Sequence, residues 1–259
     1  MTKPSARIID YRARGTVYVL EDADQLAMAA AAFVDSVTRA AVERRGIATV
    51  ALSGGSTPKQ LGIELTRAPY RESVPWGSLQ LFWSDERLVP IDSPESNAGE
   101  AKRGWLDDLG LNDDQIHLFP YGDDPEQSAA DYEALVREQV PGEPVPQFDL
   151  ILLGMGDDGH TASLFPGTSA LAETDRLVVA NPVPQLDTVR LTFTAPLINA
   201  ARNVAFLIAG SGKASRLHKV LEGMIQPAEL PSQLVRPETG MLIWLIDGAA
   251  ASKLARNTR

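Results

Sequence analysis

Strand-like and helix-like segments alternate along this chain, and four of the strand-like runs end at a short polar or glycine-rich loop. That alternation constrains the fold more than any other feature, because strands joined by helices pair in parallel and need helices on both faces to cover them. A short strand is expected at Val17 to Leu20, then a long helix over Ala23 to Arg45 ended by Gly46. Ile47 to Leu52 reads as a buried strand, with a helix starting near Pro58. Leu79 to Trp83 is another strand, followed by a helix over Ala98 to Asp108 capped by Asn97 and one over Asp124 to Val140. Asp149 to Leu153 has the apolar character of a central parallel strand. Strands at Val189 to Phe193, Val204 to Ala209 and Leu242 to Ile246 complete an α/β class with a mainly parallel sheet. The stretch Pro141 to Pro146 is a stiff connector, and strands flank it on both sides, so residues 1–259 are expected to form a single domain.

Composition removes several classes of function. With 44% hydrophobic and 22% charged residues, the chain is that of an ordinary globular protein. The longest wholly apolar run, Leu26 to Val34, has nine residues against the ~20 that span a bilayer. Met1 to Arg14 mixes charges among its apolar residues and offers no secretory core, so a cytoplasmic protein without a membrane partner is expected. The absence of cysteine excludes thiolate nucleophiles, disulfides and cysteine-based metal sites. His117, His160 and His218 are scattered, with no zinc-binding spacing, and no metal is expected. A net charge of −10 argues against nucleic acid as a partner. Any site for a phosphorylated metabolite must therefore be built from a few local Arg and Lys residues and backbone N–H groups.

Ser53-Gly54-Gly55-Ser56-Thr57-Pro58 supplies such a setting, between a strand and a helix. Glycines let a ligand approach the backbone, and the helix start offers free N–H groups to an anion. Thr57 is expected as the helix cap with Pro58 in the first turn. The loop lacks the Gly-Lys-Ser/Thr ending of nucleotide-hydrolysing loops.

Gly154-Met-Gly-Asp-Asp-Gly159 fits the G-x-G-x-x-G dinucleotide pattern, but Asp157 and Asp158 would put two carboxylates against a pyrophosphate. Pro166 also stops any helix within about two turns, so no nicotinamide cofactor is expected. What the segment offers is His160, on a glycine-rich loop beyond a buried strand. A neutral imidazole can take a proton from water near neutral pH, and Asp158 or Asp157 could orient its ring. Arg87 in Ser84-Asp-Glu-Arg87 suits a phosphate or a developing oxyanion. Lys213 in Gly210-Ser-Gly-Lys213 is a mobile cation, and Arg190 is a third. All these loops are expected at one edge of one sheet, where open α/β sheets bind ligands.

Three segments carry a resemblance to the 6-phosphogluconolactonase family: Leu52 to Pro58, Trp83 to Pro90 and Gly154 to Gly167, with the likeness continuing to Gly212-Lys213-Ala214. The resemblance implies a Rossmann-like three-layer α/β/α fold and hydrolysis of 6-phospho-D-glucono-1,5-lactone in the oxidative pentose phosphate pathway. It implies no cofactor, and a monomer or small homo-oligomer is compatible with it. On this reading His160 is the general base, with Arg87 and Asp158 completing the catalytic set. Ser53, Gly54, Gly55, Ser56, Thr57, Lys213 and Arg190 hold the substrate and its phosphate. Glucosamine-6-phosphate deaminases resemble the chain too, and Asp85 matches one of their acidic residues. Phe165 stands where they carry the glutamate that helps open the sugar ring, which favours the lactone. A non-catalytic sugar-phosphate sensor would need a DNA-binding extension, and no basic helix-turn-helix segment is present.

Overall fold

A computed structural model describes residues 6–255; the ends of the chain, including residues 1–5 of the Met1 to Arg14 stretch read above, lie outside the described residues. Strand β1 (Arg7–Asp10) pairs antiparallel with β2 (Thr16–Leu20), which leads into helix α1 (Ala23–Arg45). Asp22 caps α1 by accepting the Gln25 N–H at 2.8 Å, and Gly46 ends it in the left-handed conformation that glycine tolerates best. Strand β3 (Ala48–Leu52) is followed by α2 (Ser56–Leu65), the short α3 (Tyr70–Ser73), β4 (Leu79–Trp83) and β5 (Asp85–Arg87). Helix α4 (Asn97–Ala101) widens into a π-type turn over Lys102–Leu106, and α5 (Pro125–Gln139) comes next. Strands β6 (Leu150–Leu153), β7 (Val178–Val183) and β8 (Thr188–Phe193), helix α6 (Ala195–Ala200), β9 (Asn203–Ile208), α7 (Ala214–Glu222) and β10 (Met241–Asp247) complete the order.

Seven strands form one sheet in the order β1-β2-β10-β9-β6-β3-β4, parallel except for β1. Helices cover it, so the fold is the α/β, Rossmann-like arrangement expected. Every residue of β3 and β6 is buried, as two-sided cover requires. Strands from before and after the Pro141–Pro146 connector pair directly, β3 with β6. Among the described residues no helix is long and apolar enough to cross a membrane.

Two expectations need correction. The loops do not all sit on one sheet, because β5, β8 and β7 form a second, antiparallel sheet of three strands. Arg87 and Arg190 face each other across its β5–β8 ladder. The caps also move: α2 starts at Ser56 with Gly55 rather than Thr57 in the cap position. Ser96, not Asn97, caps α4, its hydroxyl accepting the Gly99 N–H at 2.9 Å.

Candidate active site

The carboxyl ends of β3, β6 and β9 deliver three loops to one cleft of about 360 Å³, and the second sheet closes its side. Ser53, Gly54, Gly55, Arg87, His160 and Lys213 all line it, together with Asp85, Asn97 and Asp157. Ser56 and Thr57 do not line it, since the early start of α2 already carries them into the helix. Arg190 lies outside the lining, and Asp158 stands behind His160.

His160 is held on three sides. Asp158 Oδ1 accepts from the ring at Nδ1, 2.6 Å away, and from the His160 backbone N–H at 3.0 Å. Phe165, itself buried, packs on the ring with centroids 4.1 Å apart. Gly156 lies against the imidazole, and a Cβ there would overlap Nδ1 and Cε1, so only glycine lets the ring take this place. A proton on Nδ1 facing the carboxylate leaves Nε2 with its lone pair, and Nε2 has no hydrogen-bond partner among the described residues. Burial opposes the Asp158 charge, but the hydrogen bonds from His160 outweigh it and bring the carboxyl down to about 2. The loop is fixed from outside as well: Ser232 donates to the Gly159 carbonyl at 2.9 Å, and Arg216 to that of Asp157 at 2.9 Å.

Across the cleft, Lys213 Nζ lies 2.6 Å from Asp157 Oδ1. That contact holds the Asp157 carboxyl below its ordinary value. Asp85 is buried, and its Oδ2 accepts from Ser163 Oγ at 2.7 Å. The Arg87 guanidinium donates to the Glu95 carbonyl and has no carboxylate partner among the described residues. Burial, and then the like charge of Arg87, lowers the Arg190 guanidinium from its ordinary value, and Arg190 Nε is buried without a hydrogen-bond partner.

Sequence reasoning missed Asn97 and Glu86. Asn97 Nδ2 donates to the Asp85 carbonyl at 3.0 Å, and its Oδ1 fills the space where a side chain at Gly54 would sit. Glu86 is buried and accepts the backbone N–H groups of Asn97, Ala98 and Arg87 at 2.7, 2.8 and 2.8 Å and the Ser96 hydroxyl at 3.0 Å. It thereby ties β5, which carries Asp85 and Arg87, to the start of α4. The signal was an acidic residue between two cleft residues, paired with a Ser-Asn helix start ten residues on, and only the fold brings them together. His117 stacks on Phe82, and His218 pairs with Glu222 at 2.9 Å, both away from the cleft lining. Among the described residues no three His, Asp or Glu side chains gather into a metal-holding group.

A mainly parallel sheet whose loops converge on a histidine–aspartate pair and two cations belongs to the class of α/β folds that bind ligands at the carboxyl ends of their strands. The profile described as glucosamine-6-phosphate isomerases/6-phosphogluconolactonase matches residues 21–244, and the chain belongs to that family. The chain is 46% identical to a 6-phosphogluconolactonase of Synechocystis over 83% of its length and 88% of the relative's. It is 40% identical to one of Nostoc over 93% of its length and 98% of that relative's. In three dimensions it is similar to 6-phosphogluconolactonase from Trypanosoma brucei, with a TM-score of 0.81 and 29% identity, covering 92% of this chain and 98% of the other.

Proposed function

We propose that this protein hydrolyses 6-phospho-D-glucono-1,5-lactone to 6-phospho-D-gluconate, with His160 as general base. The family and the relatives make the chain an enzyme, a lactone hydrolase by class. The observation that carries the mechanism is the free Nε2 of His160, in a cleft that also holds Lys213 and Arg87, with Nδ1 fixed by Asp158.

On this reading the phosphate takes Lys213 away from Asp157 and rests against the Ser53 to Gly55 turn. Arg190, behind Arg87, adds to the positive field at the cleft without lining it. His160 Nε2 removes a proton from water as the water oxygen bonds to the lactone carbonyl carbon. The tetrahedral oxyanion is held by Arg87 or by backbone N–H groups. As the carbonyl re-forms, the bond to the ring oxygen breaks and His160 returns the proton to that oxygen. A lactone is an activated ester, so general base catalysis of ~10²–10⁴-fold with electrostatic help is sufficient.

The test is freshly generated 6-phosphogluconolactone, followed against its spontaneous hydrolysis. Wild type should accelerate it, and His160→Ala should lose most of the rate while retaining ligand binding. Undiminished turnover in His160→Ala would remove the histidine from the mechanism. Ammonia release from glucosamine 6-phosphate by wild type would point to the deaminase reaction instead.

A further inference from the structure

At the opposite edge of the main sheet, where β6, β9 and β10 begin, a second groove of about 490 Å³ lies against the last turns of α1. Its size is within the range of small-metabolite sites, about 300–1,000 Å³. Three guanidiniums line it, those of Arg44, Arg45 and Arg202, against the single carboxylate of Asp149.

Asp149 is buried, which demands a counter-charge. Arg45 supplies it by bonding Asp149 Oδ1, while Asp149 Oδ2 accepts the Thr49 N–H at 3.0 Å. Arg202 approaches the same Oδ1 only at 3.4 Å, and Arg44 has no ion-pair partner among the described residues. Three guanidiniums therefore share one carboxylate, which leaves the groove with an excess of two positive charges. The carbonyl end of α1 accounts for cations at Arg44 and Arg45, in the last turn of that helix. It does not account for Arg202, which the turn between α6 and β9 brings to the same groove. Guanidiniums in excess over carboxylates within one concavity repel each other, and an oxyanion relieves that repulsion through paired N–H donors. Phe33 and Val37 give the groove an apolar wall for the remainder of a ligand.

We propose that this groove is a second, non-catalytic site for a small, multiply charged oxyanion, gripped by Arg44 and Arg202. The phosphate-ester and polycarboxylate classes share the required chemistry. Calorimetric titration of the full chain with inorganic pyrophosphate, and separately with citrate, distinguishes them by which binds more tightly. Wild type should show two classes of site. Arg44→Gln/Arg202→Gln, which keeps Arg45 on Asp149, should weaken one class by about tenfold or more and leave lactone turnover unchanged. Arg87→Gln/Lys213→Gln should remove the other class. Arg44→Glu, at an exposed position that makes no ion pair with Asp149 among the described residues, reverses the charge at the groove and should abolish the same class alone. The proposal is overturned if wild type shows only the class lost with Arg87 and Lys213. It is equally overturned if Arg44→Glu and the double variant titrate like wild type.

Discussion

One oxygen of Asp158 engages His160 twice, at ring Nδ1 (2.6 Å) and at the backbone N–H (3.0 Å). A carboxylate there selects the tautomer with Nε2 free and stabilises the imidazolium that forms when Nε2 takes a proton. Asp158→Asn keeps the shape, removes the charge, and lets the amide donate to Nδ1. We predict a fall in kcat of about 10²-fold or more with KM nearly unchanged, read by steady-state lactone hydrolysis. Unchanged kcat would limit Asp158 to shaping the loop.

The same pair sets an acid limit. The Asp158 carboxyl is depressed to about 2, from an ordinary value near ~3.9. A depressed carboxylate contributes stability that is present above the ordinary value and lost as pH falls through the folded one. Asp158 should therefore stay ionised down to about pH 2–3 in a carbon-13 carboxyl titration, with its share of stability fading between about pH 4 and 2. His160→Ala should return the Asp158 midpoint toward the ordinary range. A midpoint near 4 in wild type would contradict the hydrogen-bonded geometry.

Phe165 covers one face of the His160 ring at 4.1 Å and is itself only 7% exposed. Such a contact restricts rotation of the imidazole and keeps Nε2 aimed at the cleft. Phe165→Leu should lower kcat by about tenfold with little change in KM, while Phe165→Tyr should retain most of the activity. Equal loss in both variants, accompanied by a lower melting temperature, would mark Phe165 as a core residue alone.

How much of this was readable beforehand divides along physical lines. Helix α1 is legible through the long run that Gly46 ends, and its bounds fall where the sequence placed them, while its Asp22 cap emerges only in the structure. The buried strands β3, β4, β6, β9 and β10 are likewise legible, because continuous apolar runs bounded by polar loops have few other uses. Strand β5 is Asp-Glu-Arg, three charged residues with no apolar alternation, and only pairing with β8 makes it a strand. Missing it made the second sheet invisible and put Arg87 and Arg190 on the wrong sheet, although Arg87 still reaches the cleft. Ser53, His160 and Lys213 were accessible because each follows a legible strand. Asn97 was not, since its contacts to Gly54 and Asp85 exist only in three dimensions. Asp149 was read as part of a strand, whereas it is a buried carboxylate tying the starts of β3 and β6 to α1.

Glu86 combines burial with four donors, and burial wins, raising its carboxyl above the ordinary range. A raised group contributes stability at low pH that is lost as pH climbs through its folded value. Glu86→Gln should flatten that part of the stability–pH curve. It also turns an amide NH₂ toward backbone N–H donors, which costs about 1–3 kcal/mol in denaturant unfolding. Because Glu86 ties Arg87 to Asn97, KM should rise in the variant while kcat stays within a few-fold. A variant as stable as wild type at every pH would deny Glu86 that bracing role.

Lys213 and Asp157 form the cleft's most exposed ion pair, with the Asp157 side chain 85% exposed. A pair in that setting adds little to stability, so neither partner is held in place for the fold's sake. Its consequence is competition: the substrate phosphate must displace Asp157 to reach Lys213. Lys213→Ala should raise KM by about tenfold with kcat nearly constant, because the contact is similar in ground and transition states. Asp157→Asn should lower KM by a factor of about two to five, since the lysine then meets no rival anion. Added salt should raise the wild-type KM by screening Lys213 and leave Lys213→Ala much less affected. A collapse of kcat in Lys213→Ala at constant KM would instead give the lysine a part in the chemistry, at the oxyanion rather than the phosphate.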